Sequence, residues 1–517
     1  MIDAPPSRIG SAAALAAVVV LPVAISSIDT LPAGVVFDDG MYVVLAKSLA
    51  TGHGYSWLHL PGTPAATHFP PGYPALLSLI WRLFPVFPGN VLAFKGLNAC
   101  LLTAVAVGIV FFAYRRLNLP AFGACALAIA GCLSVPTLVL STLVMSEMLF
   151  LALLIPSLLL AERVADGEEN AITVIALGAL AGALILVRTH GVAFSLAVAV
   201  ALLLRRRRRA LAAFVPTALA VVAPWQVWKV LHRDAVPLVM RGAYESYGGW
   251  LARGVQSGGL ALGARTVERT GLELLGTIMS MSTAGLPSAT RWAVTLLVVG
   301  VLCAGLVRLR RTALVTALFL VAYVGIVLLW PFTPARFIWG IWPLIVMLAV
   351  LGALELRDWR PASSGSRITR AVVAVGIAAS LAGYSVYTFR GYRGHWWSSI
   401  PRQTATAVRP LIIWTTQNTR PDAVIASNSE LLLYLYTGRT SVPATSFSVD
   451  DYFAPQSSAA RGDALRSILR SYRVDAVAIV ANDSLTSAAR SMAGLHPPEL
   501  VLRDSISNGL IFTSMIR

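Results

Sequence analysis

Charged side chains are scarce in this chain. They make up 13% of its 517 residues, whereas hydrophobic residues make up 57% and the mean hydropathy is +0.73. A water-soluble domain of this length cannot bury so much apolar surface in its core. The composition therefore predicts a protein that crosses a membrane several times.

Acidic residues are the scarcer charge, because 24 Asp and Glu stand against 41 Lys and Arg and leave a formal net charge of +17. The basic clusters lie between apolar segments and lack the interleaved aromatic residues and folded reader domain of a nucleic-acid-binding protein. We therefore expect contact with membrane lipids and no nucleic-acid partner. The clusters are Arg115-Arg116, Arg163, Arg205 to Arg209, Arg308 to Arg311 and the stretch from Arg357 to Arg370.

Other features are missing as well. The four cysteines all fall in apolar runs, without the close spacing of a metal or redox motif. The sequence contains no glycine-rich nucleotide loop and no lipidation box, which argues against an ATP-driven pump. Energy for any reaction would then come from the substrate or from a gradient.

Long apolar segments dominate what is present. A membrane span needs roughly 20 apolar residues, and that length identifies about eleven spans, of which we expect the first to be retained rather than cleaved as a signal peptide. The segments are 11–30, 90–114, 119–139, 141–161, 171–187, 191–204, 210–230, 289–307, 312–331, 336–354 and 370–388.

The basic clusters also predict an orientation. With the N-terminus inside the cell, every strong cluster falls on the cytoplasmic side, as expected for spans in a plasma (inner) membrane. The first loop, 31–89, and the C-terminal segment then lie outside. We predict a membrane domain over 1–389 and a small extracytoplasmic α/β domain over 390–517, because strand and helix patterns alternate in the latter.

The first outer loop carries an acidic pair, Asp38-Asp39, directly after the first span. Short amphipathic patterns over 41–51 and 73–84 predict two helices lying in the membrane interface. An aspartate before a helix is an ordinary N-cap, but two adjacent carboxylates exceed what one cap requires. We therefore expect at least one of them to act on a substrate.

Ionisable residues also occur at the outer ends of other spans. Such groups are costly near lipid and usually face a cavity or the bundle interior, although each could instead cap a helix end or extend to the headgroups. All of them fall on the side of the acidic pair, which predicts a single site. They are Glu147, Arg188, His190 and Arg336.

These motifs resemble the GT-C class of membrane glycosyltransferases, and within it the protein O-mannosyltransferases and lipid A aminoarabinose transferases. The resemblance covers most of the chain and depends on the order and sidedness of individually weak motifs. Those motifs are Asp38-Asp39, the turn Pro70-Pro71-Gly72-Tyr73-Pro74, Ser146-Glu147, Arg188, Arg336-Phe337 followed by Pro343, and Tyr436-Thr437-Gly438-Arg439.

The resemblance implies transfer of a hexosyl or pentosyl group from a polyprenyl phosphate to a hydroxyl of a lipid, glycan or protein on the outer face, with inversion. It makes Asp38 the general base, Asp39 a second catalytic or orienting carboxylate, and Arg336 the partner of the lipid phosphate. Further donor-binding candidates are Glu147, Arg188, His68, His190 and Tyr73. The chain departs from the family at His68-Phe69, where many members carry Lys or Glu before the double proline.

The same resemblance leaves metal use open. We expect no obligate cofactor, and Asp38 would hold a divalent ion if one takes part. Two alternatives also remain. A transporter or flippase for polyprenyl-linked glycans would need inverted repeats and polar residues near the midplane, which the sequence does not show. A polymerase or ligase of lipid-linked glycans would share the donor and differ in the acceptor.

Overall fold

The computed structural model describes residues 6–358, 364–447, 451 and 456–516. Helices occupy most of each of the eleven predicted apolar segments, and 119–139 and 336–354 are each divided between two helices. The helices of this part of the chain are α1 (Pro6–Ser26), α2 (Asp38–Ala50), α3 (Gly72–Leu83), α4 (Val91–Leu117), α5 (Ala121–Cys132), α6 (Val135–Thr142), α7 (Glu147–Asp166), α8 (Ala171–Val187), α9 (Val192–Leu204), α10 (Arg208–Leu231), α11 (Arg241–Tyr244), α12 (Tyr247–Ser282), α13 (Ser288–Thr312), α14 (Leu314–Leu329), α15 (Ala335–Trp339), α16 (Trp342–Asp358) and α17 (Ser364–Arg393).

Six of the described helices are long and apolar enough to cross a membrane, namely α1, α4, α7, α10, α13 and α17. The pair α5 and α6, bent by 59° at their junction, would make a seventh span. Helices α8, α9 and α14 are apolar but shorter. The chain is thus a multi-pass membrane protein, and the count of about eleven spans stays a prediction.

Glycines allow the closest helix contacts in the bundle. Helices α13 and α16 approach so tightly that a Cβ added to Gly305 would lie 2.1 Å from the Leu348 carbonyl oxygen. A Cβ added to Gly352 would lie 1.9 Å from the carbonyl oxygen of Val301. Small residues at such crossings let backbones pack directly against each other, as is common between helices in a membrane.

The arginine clusters gather at one end of the bundle, which we call the basic end. Arg116 pairs with Asp166 at 2.5 Å, and so joins the end of α4 to the end of α7. Arg311 pairs with Glu355 at 2.7 Å, which joins the ends of α13 and α16. The opposite ends of these helices, which we call the pocket end, carry the residues predicted to form the site.

The first outer loop contains both predicted helices, α2 and α3, but α2 does not have the surroundings of an interfacial helix. Residues Asp39 to Ala46 are all buried. A helix of the C-terminal segment covers α2, so that a Cβ on Gly40 would meet the Leu431 side chain at 3.0 Å. Lys47 also donates a hydrogen bond to the hydroxyl of Tyr434. The segment 231–288, which lies between two predicted spans, is itself mostly helical, as α11 and α12.

The C-terminal segment builds a five-stranded sheet in the order β2-β1-β3-β5-β4. Strands β2, β1 and β3 are parallel, and the antiparallel hairpin β4–β5 completes the sheet at β3. Strands and helices alternate over the first part of this segment, as its sequence pattern predicts, while the domain boundary at 389/390 stays a prediction. Its elements are α18 (Trp396–Asn418), β1 (Val424–Ser427), α19 (Glu430–Thr437), β2 (Thr440–Pro443), α20 (Ser458–Tyr472), β3 (Ala476–Val480), α21 (Asp483–Ala493), β4 (Leu500–Ile506) and β5 (Gly509–Ser514).

Strands β1 and β2 end at the same edge of the sheet because they are parallel, with Ile425 opposite Ser441. The carboxyl edge of parallel strands is the usual ligand-binding edge of an α/β sheet. Here residues that follow β1 and β2 lie against the pocket end of the helix bundle. The helices and the sheet therefore share one cavity.

Candidate functional site

A cavity of about 360 Å³ lies between the pocket end of the bundle and the carboxyl edge of β1 and β2. Its charged lining residues are Asp38, Arg188, Arg336 and Glu430. Three of these four come from the predicted site, although they are far apart in sequence. The structure thus brings Asp38, Arg188 and Arg336 to one pocket, as the sequence predicts.

The core of the site is a cluster of two carboxylates and two guanidinium groups. Arg336 Nη1 lies 2.8 Å from Asp38 Oδ2, and Arg336 Nε lies 3.1 Å from Glu147 Oε1. Arg188 Nη1 reaches the same Glu147 oxygen at 2.8 Å. The four formal charges balance, which allows so many ionised groups to share a poorly solvated place.

Burial divides this cluster into an inner and an outer part. The Glu147 side chain is 0% exposed and Arg188 is 7% exposed, whereas Asp38 and Arg336 are 21% and 27% exposed. Glu147 does not line the cavity. The prediction that it shapes the donor pocket directly is therefore corrected, because Glu147 lies behind the wall and holds both arginines.

Arg336 keeps its charge in this setting. A guanidinium stays protonated in proteins, and the carboxylates of Asp38 and Glu147 lie against Arg336 and compensate its positive charge. Glu147 occupies Nε, and Asp38 is contacted from Nη1. A guanidinium has five N–H donors, so Arg336 retains donors for an anion in the cavity.

Arg188 is also held by Ser146, whose Oγ accepts a hydrogen bond at 2.9 Å from Nη1, the same nitrogen that contacts Glu147. The same hydroxyl lies 3.0 Å from the Tyr42 hydroxyl. Ser146 and Glu147 therefore fix Arg188 together at the start of α7. This arrangement explains why the pair Ser146-Glu147 stands out in an otherwise apolar helix.

Asp39 is not a cavity residue. Its side chain is buried and accepts hydrogen bonds from the backbone N–H groups of Gly34, Val36 and Gly40, at 2.8 to 2.9 Å. Burial raises the pKa of Asp39, and these three hydrogen bonds oppose that rise. The predicted catalytic role of Asp39 is corrected to that of a brace for the loop before α2. That loop includes Phe37, which has a positive φ of 59° and lines the cavity beside Asp38.

The two histidines line the cavity as aromatic groups. His68 Nδ1 donates to the Glu245 carbonyl oxygen, and its ring packs 4.2 Å from that of Tyr247. Burial lowers the pKa of His68, with weaker opposing effects of the Glu245 carbonyl and Asp38. It is therefore neutral near pH 7, so a charged contact to phosphate is not what this environment favours.

His190 stacks on Phe337 with a centroid distance of 4.8 Å. Its Nε2 is buried and has no hydrogen-bond partner within the described part of the chain. Buried polar atoms normally have partners. This nitrogen is thus a group that a bound ligand could satisfy, in agreement with the predicted position of His190 in the donor site.

Tyr73 lies away from the cavity. It is fully buried, and its hydroxyl donates to Asn98 Oδ1 at 3.1 Å. Asn98 in turn donates to the carbonyl oxygens of Leu143 and Met145, between α6 and α7. The prediction that Tyr73 binds the donor is therefore wrong in this structure. Tyr73 supports the backbone from which Glu147 projects.

Sequence reasoning missed two parts of the cavity. One is an aromatic wall in which Tyr247, Trp330 and Phe332 follow one another at centroid distances of 5.2 and 5.9 Å. In the sequence, these three residues could not be distinguished from the aromatic residues that commonly mark a membrane interface. The other is Glu430, which comes shortly after a predicted strand. The rule that ligands bind beyond the carboxyl ends of parallel strands could have identified it.

Metal ligands are few at this site. No group of three or more His, Cys, Asp or Glu is arranged to hold an ion anywhere in the ranges that the structure describes. Asp38 already contacts Arg336. A divalent ion at Asp38 would therefore take most of its ligands from a phosphate and from water, and metal use stays a prediction.

No family model and no curated protein matches the chain in sequence. Its fold is similar to that of ArnT from Cupriavidus metallidurans, solved bound to undecaprenyl phosphate, with a TM-score of 0.53 and 14% identity over 97% of both chains. The same protein in its apo state gives a TM-score of 0.53, with 14% identity over 96% of this chain and 97% of that one. The apo oligosaccharyltransferase from Archaeoglobus fulgidus gives 0.52, with 12% identity over 91% of this chain and 69% of that one. The GT-C fold expected from the sequence is confirmed.

Proposed function

We propose that the protein is a glycosyltransferase that takes a glycosyl group from a polyprenyl phosphate and transfers it to an acceptor hydroxyl. The observation that carries this proposal is the Asp38–Arg336 pair, which places a proton acceptor and a permanent cation 2.8 Å apart on one cavity wall. The undecaprenyl phosphate bound to ArnT, which has a similar fold, supports the same class of donor.

The Asp38–Arg336 pair suits a reaction in which the acceptor displaces the lipid phosphate in a single step. The acceptor oxygen forms a bond to the anomeric carbon, and the bond from that carbon to the phosphate oxygen breaks, with its electron pair remaining on the phosphate. The proton of the acceptor hydroxyl passes to Asp38. Such general-base catalysis contributes typically 10² to 10⁴-fold to a rate. One displacement at the anomeric carbon inverts its configuration.

In this reaction, arginine stabilises the negative charge that develops on the departing phosphate. The phosphate gains one negative charge as the glycosyl bond breaks, and Arg336 on the cavity wall would bind this oxygen. Arg188 adds a second positive charge to the same wall, and Glu147 holds both guanidinium groups in place. No nucleotide is needed because the lipid phosphate is itself the leaving group.

The cavity would face the extracytoplasmic side of the plasma membrane, since the arginine clusters lie at the opposite end of the bundle. A flippase would need its polar residues along a path through the membrane. Here the charged cluster lies at one end of the helices. This location favours transfer chemistry at the membrane surface, whether the acceptor is a lipid, a glycan or a protein.

The test is binding of undecaprenyl phosphate to the full chain in lipid nanodiscs. We expect Arg336→Ala to weaken binding about tenfold or more, because a charge-assisted contact to phosphate contributes roughly 1.5 to 3 kcal/mol. The matched control is Arg311→Ala, which removes an arginine from an ion pair at the basic end and should leave the affinity unchanged. Equal affinities of the wild type and Arg336→Ala would contradict the proposal, as would a wild type that does not bind this lipid.

A further inference from the structure

The cavity has a second acidic residue, Glu430, on the wall that the C-terminal segment provides. Its side chain is 4% exposed, and it begins α19 three residues after the end of β1. Among the described residues Glu430 makes no ion pair, in contrast to Asp38 and Glu147. The two sides of the cavity therefore differ, because the arginines lie on one and an uncompensated carboxyl lies on the other.

Glu430 is fixed in place by a chain of buried hydrogen bonds. The Tyr244 hydroxyl donates to Glu430 Oε1 at 3.1 Å, and His59 Nε2 lies 2.9 Å from that hydroxyl. Both Tyr244 and His59 are 0% exposed. Because Tyr244 donates to Glu430, His59 Nε2–H is the donor to Tyr244. The chain joins the first outer loop, α11 and α19, three elements that are distant in sequence.

The backbone around Glu430 is also locked. The Asn428 side chain donates to the Val480 carbonyl oxygen at 2.9 Å and accepts from the Val480 N–H at 3.0 Å. Ser427 Oγ accepts from the Ser429 N–H at 3.0 Å. The polar groups of Asn428 and Ser427 are thus engaged within the protein. Glu430 remains as the acidic group of this wall that a ligand can contact.

We infer that Glu430 binds hydroxyl groups of a glycosyl unit, and so acts as a specificity residue of the proposed transfer reaction. A carboxylate repels phosphate and accepts hydrogen bonds from hydroxyls, so it selects the uncharged part of a substrate whose phosphate lies against Arg336. Phe332 and Phe447 line the same cavity, and their rings can cover an apolar face of a sugar. The inference rests on the proposed function, and the glycosyl unit belongs either to the donor or to the acceptor.

The protonation of Glu430 agrees with this role. Burial raises the pKa of Glu430 to about 7, against the smaller effects of its own backbone N–H and of Tyr244. Near neutral pH the group therefore occurs both as a carboxylate, which accepts hydrogen bonds, and as an acid, which can also donate one. Sugar hydroxyls are donors and acceptors in the same way.

The test compares Glu430→Gln with the wild type in two arms, using the full chain in nanodiscs. The donor arm measures the affinity for undecaprenyl phosphate and for its mannosyl, glucosyl, galactosyl and arabinosyl derivatives. The acceptor arm measures transfer to n-octyl glycosides. We expect Glu430→Gln to bind undecaprenyl phosphate within about twofold of the wild type. A tenfold loss, as is typical when one charge-assisted hydrogen bond is removed, should appear in one arm.

The arm that changes identifies the source of the glycosyl unit. Weaker binding of the preferred glycosylated lipid assigns Glu430 to the donor, and a raised KM for the octyl glycoside at unchanged donor affinity assigns it to the acceptor. Tyr244→Phe should produce a smaller change in the same arm, because Tyr244 positions Glu430. The matched control Glu499→Gln removes a carboxylate that pairs with Arg466 outside the cavity and should change neither arm.

Two results would overturn the inference while the proposed function stands. In one, the wild type binds undecaprenyl phosphate and Glu430→Gln changes neither arm. In the other, Glu430→Gln weakens binding of the plain and glycosylated lipids equally, as a purely structural residue would. A wild type that binds none of these lipids would instead refute the proposed function itself.

Discussion

Two arginines share one carboxylate oxygen at the site, since Arg188 and Arg336 both contact Glu147 Oε1. Arginine retains its charge even when it is buried. The two cations therefore need counter-charges at all times, and within the described ranges Glu147 is the fully buried acid that contacts both. Its structural role follows from this position: it compensates the two guanidinium groups and holds them in place.

Replacing Glu147 by Gln should destabilise the protein strongly. Removing one partner from a buried ion pair costs about 3 to 5 kcal/mol, because the other charge stays buried without compensation. We expect a clear fall in the melting temperature of Glu147→Gln in detergent. Undecaprenyl phosphate should restore more stability to this variant than to the wild type, because the phosphate supplies the missing negative charge.

The control for this measurement is Glu273→Gln, which alters a partly exposed carboxylate paired with Arg269 one helical turn away. Pairs of that kind contribute about 0.3 to 0.5 kcal/mol, so the melting temperature should barely change. If Glu147→Gln and Glu273→Gln melted alike, Glu147 would not be the charge that holds the cluster together.

At the residue scale, the sequence predicts the charged groups better than it predicts their roles. Asp38, Arg188 and Arg336 are recognisable because an ionised group near lipid is costly. The sequence assigns Asp39 to the site because it stands beside Asp38, and the resemblance assigns Tyr73 because it belongs to the turn Pro70-Pro71-Gly72-Tyr73-Pro74. Their actual partners, three backbone N–H groups and Asn98, become adjacent only through folding. Glu430 lies in a segment of ordinary polarity, so its polarity alone carries no signal and only its place after a strand could identify it.

At the scale of elements, the contact between α13 and α16 depends on two glycines. Gly305 and Gly352 leave no room for a side chain, since added Cβ atoms would come within 2.1 Å of backbone oxygens. Gly300, on the same helix α13, has open space where its Cβ would lie. Helix α13 thus contains both a test position and its own control.

Gly305→Ala should lower the melting temperature, because overpacking of a tight contact costs typically about 1 to 3 kcal/mol. Gly300→Ala should be neutral or slightly stabilising, since alanine favours the helix over glycine. Thermal unfolding of the two purified variants beside the wild type gives the comparison. Equal melting temperatures for both variants would mean that α13 and α16 are not packed as closely as described.

Helices were the elements easiest to predict from the sequence. An apolar run long enough to span a bilayer can pair its backbone N–H and C=O groups within lipid by forming a helix, and few other structures allow this. The surroundings of α2 were not accessible. Its short apolar pattern fits an interfacial helix as well as a buried one. The deciding contacts come from α19, near the other end of the chain, and no local pattern encodes them.

For the molecule as a whole, the two ends of the bundle differ in charge and in architecture. Arginine clusters mark the basic end, and the cavity and the C-terminal sheet lie at the pocket end. Basic connections stay on the cytoplasmic side of a membrane. We therefore expect the N-terminus and the basic end inside the cell, and the cavity with the sheet outside.

Cysteine labelling in intact cells can test this orientation. In a background with the four native cysteines replaced, Gln417→Cys on α18 should react with a membrane-impermeant maleimide. Arg205→Cys at the basic end should react only after the membrane is permeabilised. Both positions are solvent-exposed in the structure, so the difference reports sidedness. The reverse pattern would place the cavity on the cytoplasmic side and contradict the proposed location.

The central claim is that one cavity combines a base, Asp38, with a phosphate-binding cation, Arg336. Its most direct test measures glycosyl transfer from undecaprenyl phosphate sugars and undecaprenyl phosphate affinity in the same preparation of Asp38→Asn. The account predicts a loss of transfer of about 10² to 10⁴-fold, with lipid affinity unchanged or tighter because Arg336 is released from its carboxylate. Transfer by Asp38→Asn at the wild-type rate would contradict it.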